Sequence, residues 1–115
     1  MLAWHSALNA ADIDRLVSLS TDDIEVGGPR GIGHGIELLR EWVDRAHIRL
    51  EPVRWQADRA TVVVEQSAQW QADDGSLTSP QMVASVFRMD RGKVASVIRY
   101  AEFGAALKSA GLARS

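Results

Sequence analysis

Cysteine is absent from the 115 residues, so neither a disulfide framework nor thiolate chemistry contributes to fold or function. A surplus of one charge is also missing. Thirteen basic residues against fifteen acidic ones leave a net charge of −2, which gives no electrostatic footprint for nucleic acid or an anionic membrane. No apolar run approaches the ~20 residues of a membrane span. The opening MLAWHSALNA lacks a basic region followed by an apolar one, so no secretory leader is read there. These absences together predict a soluble cytoplasmic protein with no nucleic-acid or membrane partner. The three histidines, His5, His34 and His47, are scattered without i,i+4 spacing, so no metal site is expected. No cofactor is expected either. The glycine-rich stretch Gly27 to Gly35 lacks the Gly-Lys-Ser/Thr ending of a phosphate loop, and it reads as turns that lead into a helix.

What is present is the makeup of one ordinary globular domain, 46% hydrophobic and 24% charged, spanning residues 1–115. Apolar residues from Met1 to Asn9 fall mostly on one helical face. Ile13, Leu16 and Val17 mark a second short helix that Asp12 or Asp14 opens. Ile24 to Val26 is a short strand. Ile36, Leu39, Val43 and Ala46, with Trp42 beside them, predict a helix over 36–46 whose other face carries Glu37, Glu41, Asp44 and Arg45. After Ala46 the period becomes two, with strands at 47–56, 61–71, 77–89 and 94–102. In the second of these, Val62, Val64, Gln66, Ala68 and Trp70 share the more apolar face. The last two flank Asp90-Arg91-Gly92 and read as a hairpin. Phe103 to Leu112 reads as a final short helix.

Helix, helix, short strand, helix and then antiparallel strands predict an α+β fold: a cone-shaped curved antiparallel sheet covered on its concave face by three N-terminal helices. At this point the chain resembles the SnoaL-like family of the nuclear transport factor two-like (ketosteroid isomerase-like) superfamily. The resemblance rests on Asn9-Ala10-Ala11-Asp12, Gly28-Pro29-Arg30-Gly31 before Gly35, Leu39-Arg40-Glu41-Trp42, and Gly92-Lys93-Val94 leading to Arg99-Tyr100-Ala101-Glu102. Ala106-Leu107 with Gly111-Leu112 adds a tail. It implies a conical pocket between sheet and helices, and a homodimer through an outer sheet face holding Val63, Ser85, Phe87, Ile98 and Tyr100. One chemistry does not follow, because function is argued from the site.

Three readings of the site stand side by side. In the first the chain is a small-molecule-binding protein or an enzyme of unassigned reaction, taking an apolar, cyclic compound with an acidic or carbonyl oxygen near Arg99 and Gln66. Trp42 and Trp70 would line the pocket. In the second it is a polyketide cyclase- or isomerase-type acid–base enzyme, with His34, His47, Asp44 and Glu102 as the groups to test. In the third it is a dimerisation or regulatory module whose pocket is filled by its own tryptophans. Against an epoxide hydrolase, the positions matching that mechanism's arginine and two aspartates hold Gln66, Ala68 and Arg99, leaving no carboxylate to activate water. Against an isomerase, the sole tyrosine, Tyr100, alternates away from Arg99 and points outside. Arg99 itself has three arrangements open to it: pairing with Glu102 or Asp44, reaching out to solvent, or serving a ligand. His34 reads as a turn residue, His47 as a helix-end residue and His5 as belonging to the terminus or the rim. Replacing Arg99 or Gln66 with leucine is expected to abolish binding with stability nearly unchanged.

Overall fold

The structure, a computed structural model, describes residues 2–28, 31–46, 48–72 and 74–112. Helical periodicity yields α1 (Leu2–Asn9), α2 (Ile13–Ser18) and α3 (Ile36–Ala46), and α3 has the bounds its apolar stripe dictates. Asp12 caps α2 by accepting the Arg15 backbone N–H at 3.2 Å. The strands are β1 (Ser20–Gly28), β2 (Gly31–His34), β3 (Ile48–Asp58), β4 (Thr61–Trp70), β5 (Gln81–Asp90) and β6 (Lys93–Tyr100), and α4 (Phe103–Ser109) follows. They form one curved sheet in the order β2-β1-β6-β5-β4-β3.

Two features of that sheet depart from the sequence reading. Gly31 to His34 is a strand rather than a turn, because its backbone pairs antiparallel with β1, Val26 opposite Gly33 and Glu25 opposite His34. The sheet is also not wholly antiparallel. β1 runs parallel to β6, with Val26 beside Val97 and Gly27 beside Ile98. Local alternation of polarity carries no information about a neighbour 71 positions away, so the parallel pairing does not show in the period.

Helices α1 to α3 cover the concave face. Trp4, Leu8, Leu16, Leu39 and Val43 pack there with Leu50, Val64, Ala68, Phe87 and Val97 in one core. The Trp4 ring meets Phe87 edge-on at 5.2 Å, a favoured aromatic geometry. Buried indole N–H groups need acceptors, and Trp4 Nε1 donates to Ser20 Oγ at 3.1 Å. Helix α1 is further fixed by Asn9, whose amide donates to the Leu50 carbonyl at 2.7 Å and accepts the Leu50 N–H at 2.8 Å. One side chain thus acts as a strand neighbour for β3, which is the sheet edge.

The β5–β6 hairpin turns on Arg91 and Gly92, at φ 53° and 83°, the doubly left-handed pair of a two-residue hairpin. Register sets the faces: Val64, Ser85 and Arg99 stand in one row, and Val62, Phe87 and Val97 in the next. Val63, Ile98 and Tyr100 therefore face outward as expected, whereas Ser85 and Phe87 face inward, against expectation. The reason lies in α4. It packs on the convex face over Val63, Ala84 and Val86, so β5 is apolar on both sides and its hydropathy does not reveal parity. The helix is held by Tyr100 Oη and Ser109 Oγ at 2.6 Å and by the Arg54 guanidinium 4.4 Å over the Phe103 ring.

Asn9→Ala removes both bonds to Leu50 at once. Urea denaturation of this variant is expected to show a loss of about 1–2 kcal/mol, and an unchanged midpoint would mean that α1 is held by its apolar face alone.

Candidate functional site

Four of the chain's nine glycines gather where β1 and β2 meet α3, and between these elements and the inner sheet face lies a cavity of about 630 Å³. Its walls are apolar: Val26, Ile32, Leu38, Trp42, Ile48, Leu50 and Val97, with Gly27, Gly28, Gly31 and Gly33 leaving the space open. At Gly27 even a methyl group would lie 2.7 Å from the Gly31 carbonyl oxygen, so close approach of the two strands requires glycine. Gly28 has another role. A Cβ there would be 3.6 Å from Arg99 Cβ and 3.9 Å from its Nε, which places the arginine side chain across the glycine backbone.

Among the described residues two polar side chains line this cavity, Ser85 and Arg99. They are opposite one another on β5 and β6 and share the inner face. Arg99 is half-buried, and among the described residues its guanidinium has neither a hydrogen bond nor an ion pair. Glu102, one partner weighed for it, is exposed and sits at the N-cap of α4. Ser85, by contrast, is fully engaged. Its Oγ donates to Gln66 Oε1 at 2.9 Å, and Gln66 Nε2 lies 2.7 Å from His5 Nε2. These three side chains are at most 2% exposed.

The structure therefore brings together two of the four site residues read from the sequence, Arg99 and Trp42. Gln66 stands one hydrogen bond behind the wall, through Ser85. Trp70 is not among the lining residues and packs half-buried against the core. His5 is not at the rim: it is buried beside Trp4 and Phe87, at ring separations of 5.9 and 5.3 Å. His34 is exposed on β2, with Nε2 3.4 Å from Glu25 Oε2, while the other Glu25 oxygen accepts from Ser96 at 2.9 Å. His47 and the Asp44 side chain lie outside the described residues. Tyr100 points outward to α4, as its alternation predicted. Ser85 was missed as a site residue because its place beside Arg99 follows from strand register and not from composition.

Among the described residues no carboxylate or imidazole lines the cavity, and no group of three or more His, Asp or Glu side chains is placed to hold a metal. The arrangement offers a planar cation and a hydroxyl in apolar walls. It suits an oxygen-bearing, otherwise apolar molecule, since guanidinium forms strong paired hydrogen bonds to carboxylate-like oxygens.

Comparison with known proteins bears on the same fold. Residues 1–97 match the family described as the SnoaL-like domain. No curated protein matches the chain. An uncharacterised cystatin-fold protein from Novosphingobium aromaticivorans is similar at 28% identity, covering 85% of this chain and 92% of its own, with a TM-score of 0.73. TerC, co-crystallised with polyporic acid, is similar at 20% identity over 90% of this chain and 89% of its own, with a TM-score of 0.75. A ketosteroid isomerase-like protein from Catenulispora acidiphila, in complex with trimethylamine, is similar at 16% identity over 97% and 92%, with a TM-score of 0.74.

The burial of Gln66 changes what its replacement does. Gln66→Leu leaves His5 and Ser85 without their shared partner, so a loss of about 1–3 kcal/mol is expected in thermal or urea unfolding, rather than the near-neutral effect read from the sequence. A wild-type midpoint for this variant would contradict the hydrogen-bonded chain.

Proposed function

The chain belongs to the SnoaL-like domain family, and we propose that it is a small-molecule-binding protein, or an enzyme of unassigned reaction, that takes a flat, largely apolar molecule in the β1–β2–α3 cavity. The ligand's acidic or carbonyl oxygen rests on Arg99, with Ser85 beside it and Trp42 against the ring system. The observation that carries this is Arg99: a half-buried guanidinium facing an apolar-walled cavity, with no partner among the described residues. Such a group is costly to leave unpaired, and an oxygen brought by a ligand offsets that cost. The volume, about 630 Å³, lies within the roughly 300–1,000 Å³ typical of small-molecule sites. Proteins of this fold hold small organic molecules, as TerC does polyporic acid and the C. acidiphila protein does trimethylamine.

The lining favours binding and orientation over proton abstraction. A cyclase- or isomerase-type mechanism requires a base within hydrogen-bond reach of the substrate, and among the described residues the lining supplies none. Nor is the cavity closed by tryptophan, as a purely structural module requires: Trp42 forms part of a wall, and Trp4 is buried in the core. A homodimer through the convex sheet face belongs to the same proposal, with α4 forming part of the surface a second copy meets.

The test uses 1-anilinonaphthalene-8-sulfonate, a fused aromatic anion whose fluorescence rises in apolar surroundings. The wild-type protein is expected to bind it saturably. Arg99→Leu is expected to weaken binding at least about tenfold, the worth of a charge-assisted contact, while Tm moves little because no partner among the described residues is lost. Equal affinity in the two proteins would remove Arg99 from the site.

A further inference from the structure

His5, Gln66 and Ser85 form an unbroken buried chain between two separate cavities. Ser85 lines the apolar one beside Arg99. His5 borders a second, of about 470 Å³, between α1 and β3, whose walls also include Asn9, Arg49 and Glu51. The links are short, 2.7 and 2.9 Å, and each member is at most 2% exposed, so water does not compete within the chain.

A primary amide links the two ends with a fixed sense. Its nitrogen donates and its oxygen accepts, so the state of one end dictates the state of the other. With Gln66 Nε2 donating to His5, the His5 Nε2 is an unprotonated acceptor, and Gln66 Oε1 takes the Ser85 hydroxyl proton. Ser85 then shows the cavity only lone pairs. When Nε2 of His5 carries a proton, Gln66 must turn its amide over, its nitrogen donates to Ser85 Oγ, and the Ser85 O–H is free to point into the cavity.

We propose that His5 acts as a positioning residue which, through Gln66, sets whether Ser85 accepts or donates a hydrogen bond at the cavity wall. The pocket thereby prefers an O–H-bearing ligand when His5 is neutral and a carbonyl-bearing one when it is protonated. The surroundings of the imidazole are consistent with both states. Trp4 of α1 and Phe87 of β5 flank it with aromatic rings, which tolerate a cation. From β4 the neutral Gln66 meets it. From β3, Arg49 and Glu51 border the same cavity and pair with each other at 3.0 Å, so their charges offset. The ligand consequence rests on the reading of the cavity as a binding site, but the chain itself does not.

Two measurements separate these. In ¹⁵N-labelled protein, long-range imidazole spectra are expected to show His5 Nε2 unprotonated at neutral pH. On acidification the Gln66 side-chain amide signals should shift with the same midpoint as His5. A protonated Nε2 at neutral pH, Gln66 signals that stay still while His5 titrates, or a His5 that remains neutral until the protein unfolds would each overturn the proposal. The second measurement is the affinity of 2-naphthol against that of 2-acetylnaphthalene, both uncharged between about pH 5 and 8. Lowering pH through the His5 midpoint is expected to shift their ratio about three- to tenfold toward the ketone, the worth of one hydrogen bond. In Gln66→Met the ratio should not depend on pH. A ratio that still follows pH in that variant overturns the relay, whereas coupled His5 and Gln66 signals with neither probe bound support the relay and count against the binding site.

Discussion

The parallel pairing of β1 with β6 is the constraint on which the site depends. It joins a strand from the first quarter of the chain to one from the last, and it brings the β1–β2 hairpin onto the sheet beside the inner row that ends in Arg99. The same strand fixes the next helix, because the Gly35 N–H donates to the Ile24 carbonyl at 2.9 Å just before α3 begins. Without that pairing, α3 and β2 would have no fixed distance from the sheet centre. The glycines of β1 then decide what fills the resulting gap. Gly28 carries no side chain where Arg99 lies, so the guanidinium runs along the backbone instead of being pushed out to water.

The polar groups of the concave face divide into two kinds. Trp4 with Ser20, Asn9 with Leu50, and His5 with Gln66 and Ser85 are closed sets that meet their own hydrogen-bonding demand inside the protein. They lock α1 to the sheet, and each is costly to break from one side only. Arg99 belongs to the other kind. It stands one strand from Ser85, yet no protein oxygen among the described residues meets it. Beside these closed sets, a cation left unmet at a cavity wall is the feature on which the proposed ligand site rests.

Much of this was legible in the sequence, and the parts that were not share a cause. The stripe from Ile36 to Ala46, the alternation of β4 and the Arg91-Gly92 turn are local patterns, and each became the element it suggested. Gln66 and Arg99 were visible as polar residues at inward positions of apolar strands. What the period could not carry was partnership across distance. Gly31 to His34 became a strand because β1 lies beside it, and Ser85 became a wall residue through its register with Arg99. His5 left the surface because Gln66, Trp4 and Phe87 enclose it. Phe87 was turned inward against expectation because α4 makes the outer face of β5 apolar too, which erases the contrast that sequence reasoning uses. Trp70 shows the opposite limit: its inward parity was readable, but its distance along the strand from the cavity was not.

The most direct test of the central claim is a crystal structure of the protein purified without added ligand, inspected in the cavity beside Arg99. Flat density stacked toward Trp42 is expected, with an oxygen within hydrogen-bond distance of the Arg99 guanidinium. An empty cavity with Arg99 paired to a protein carboxylate, or turned out into solvent, would contradict the claim.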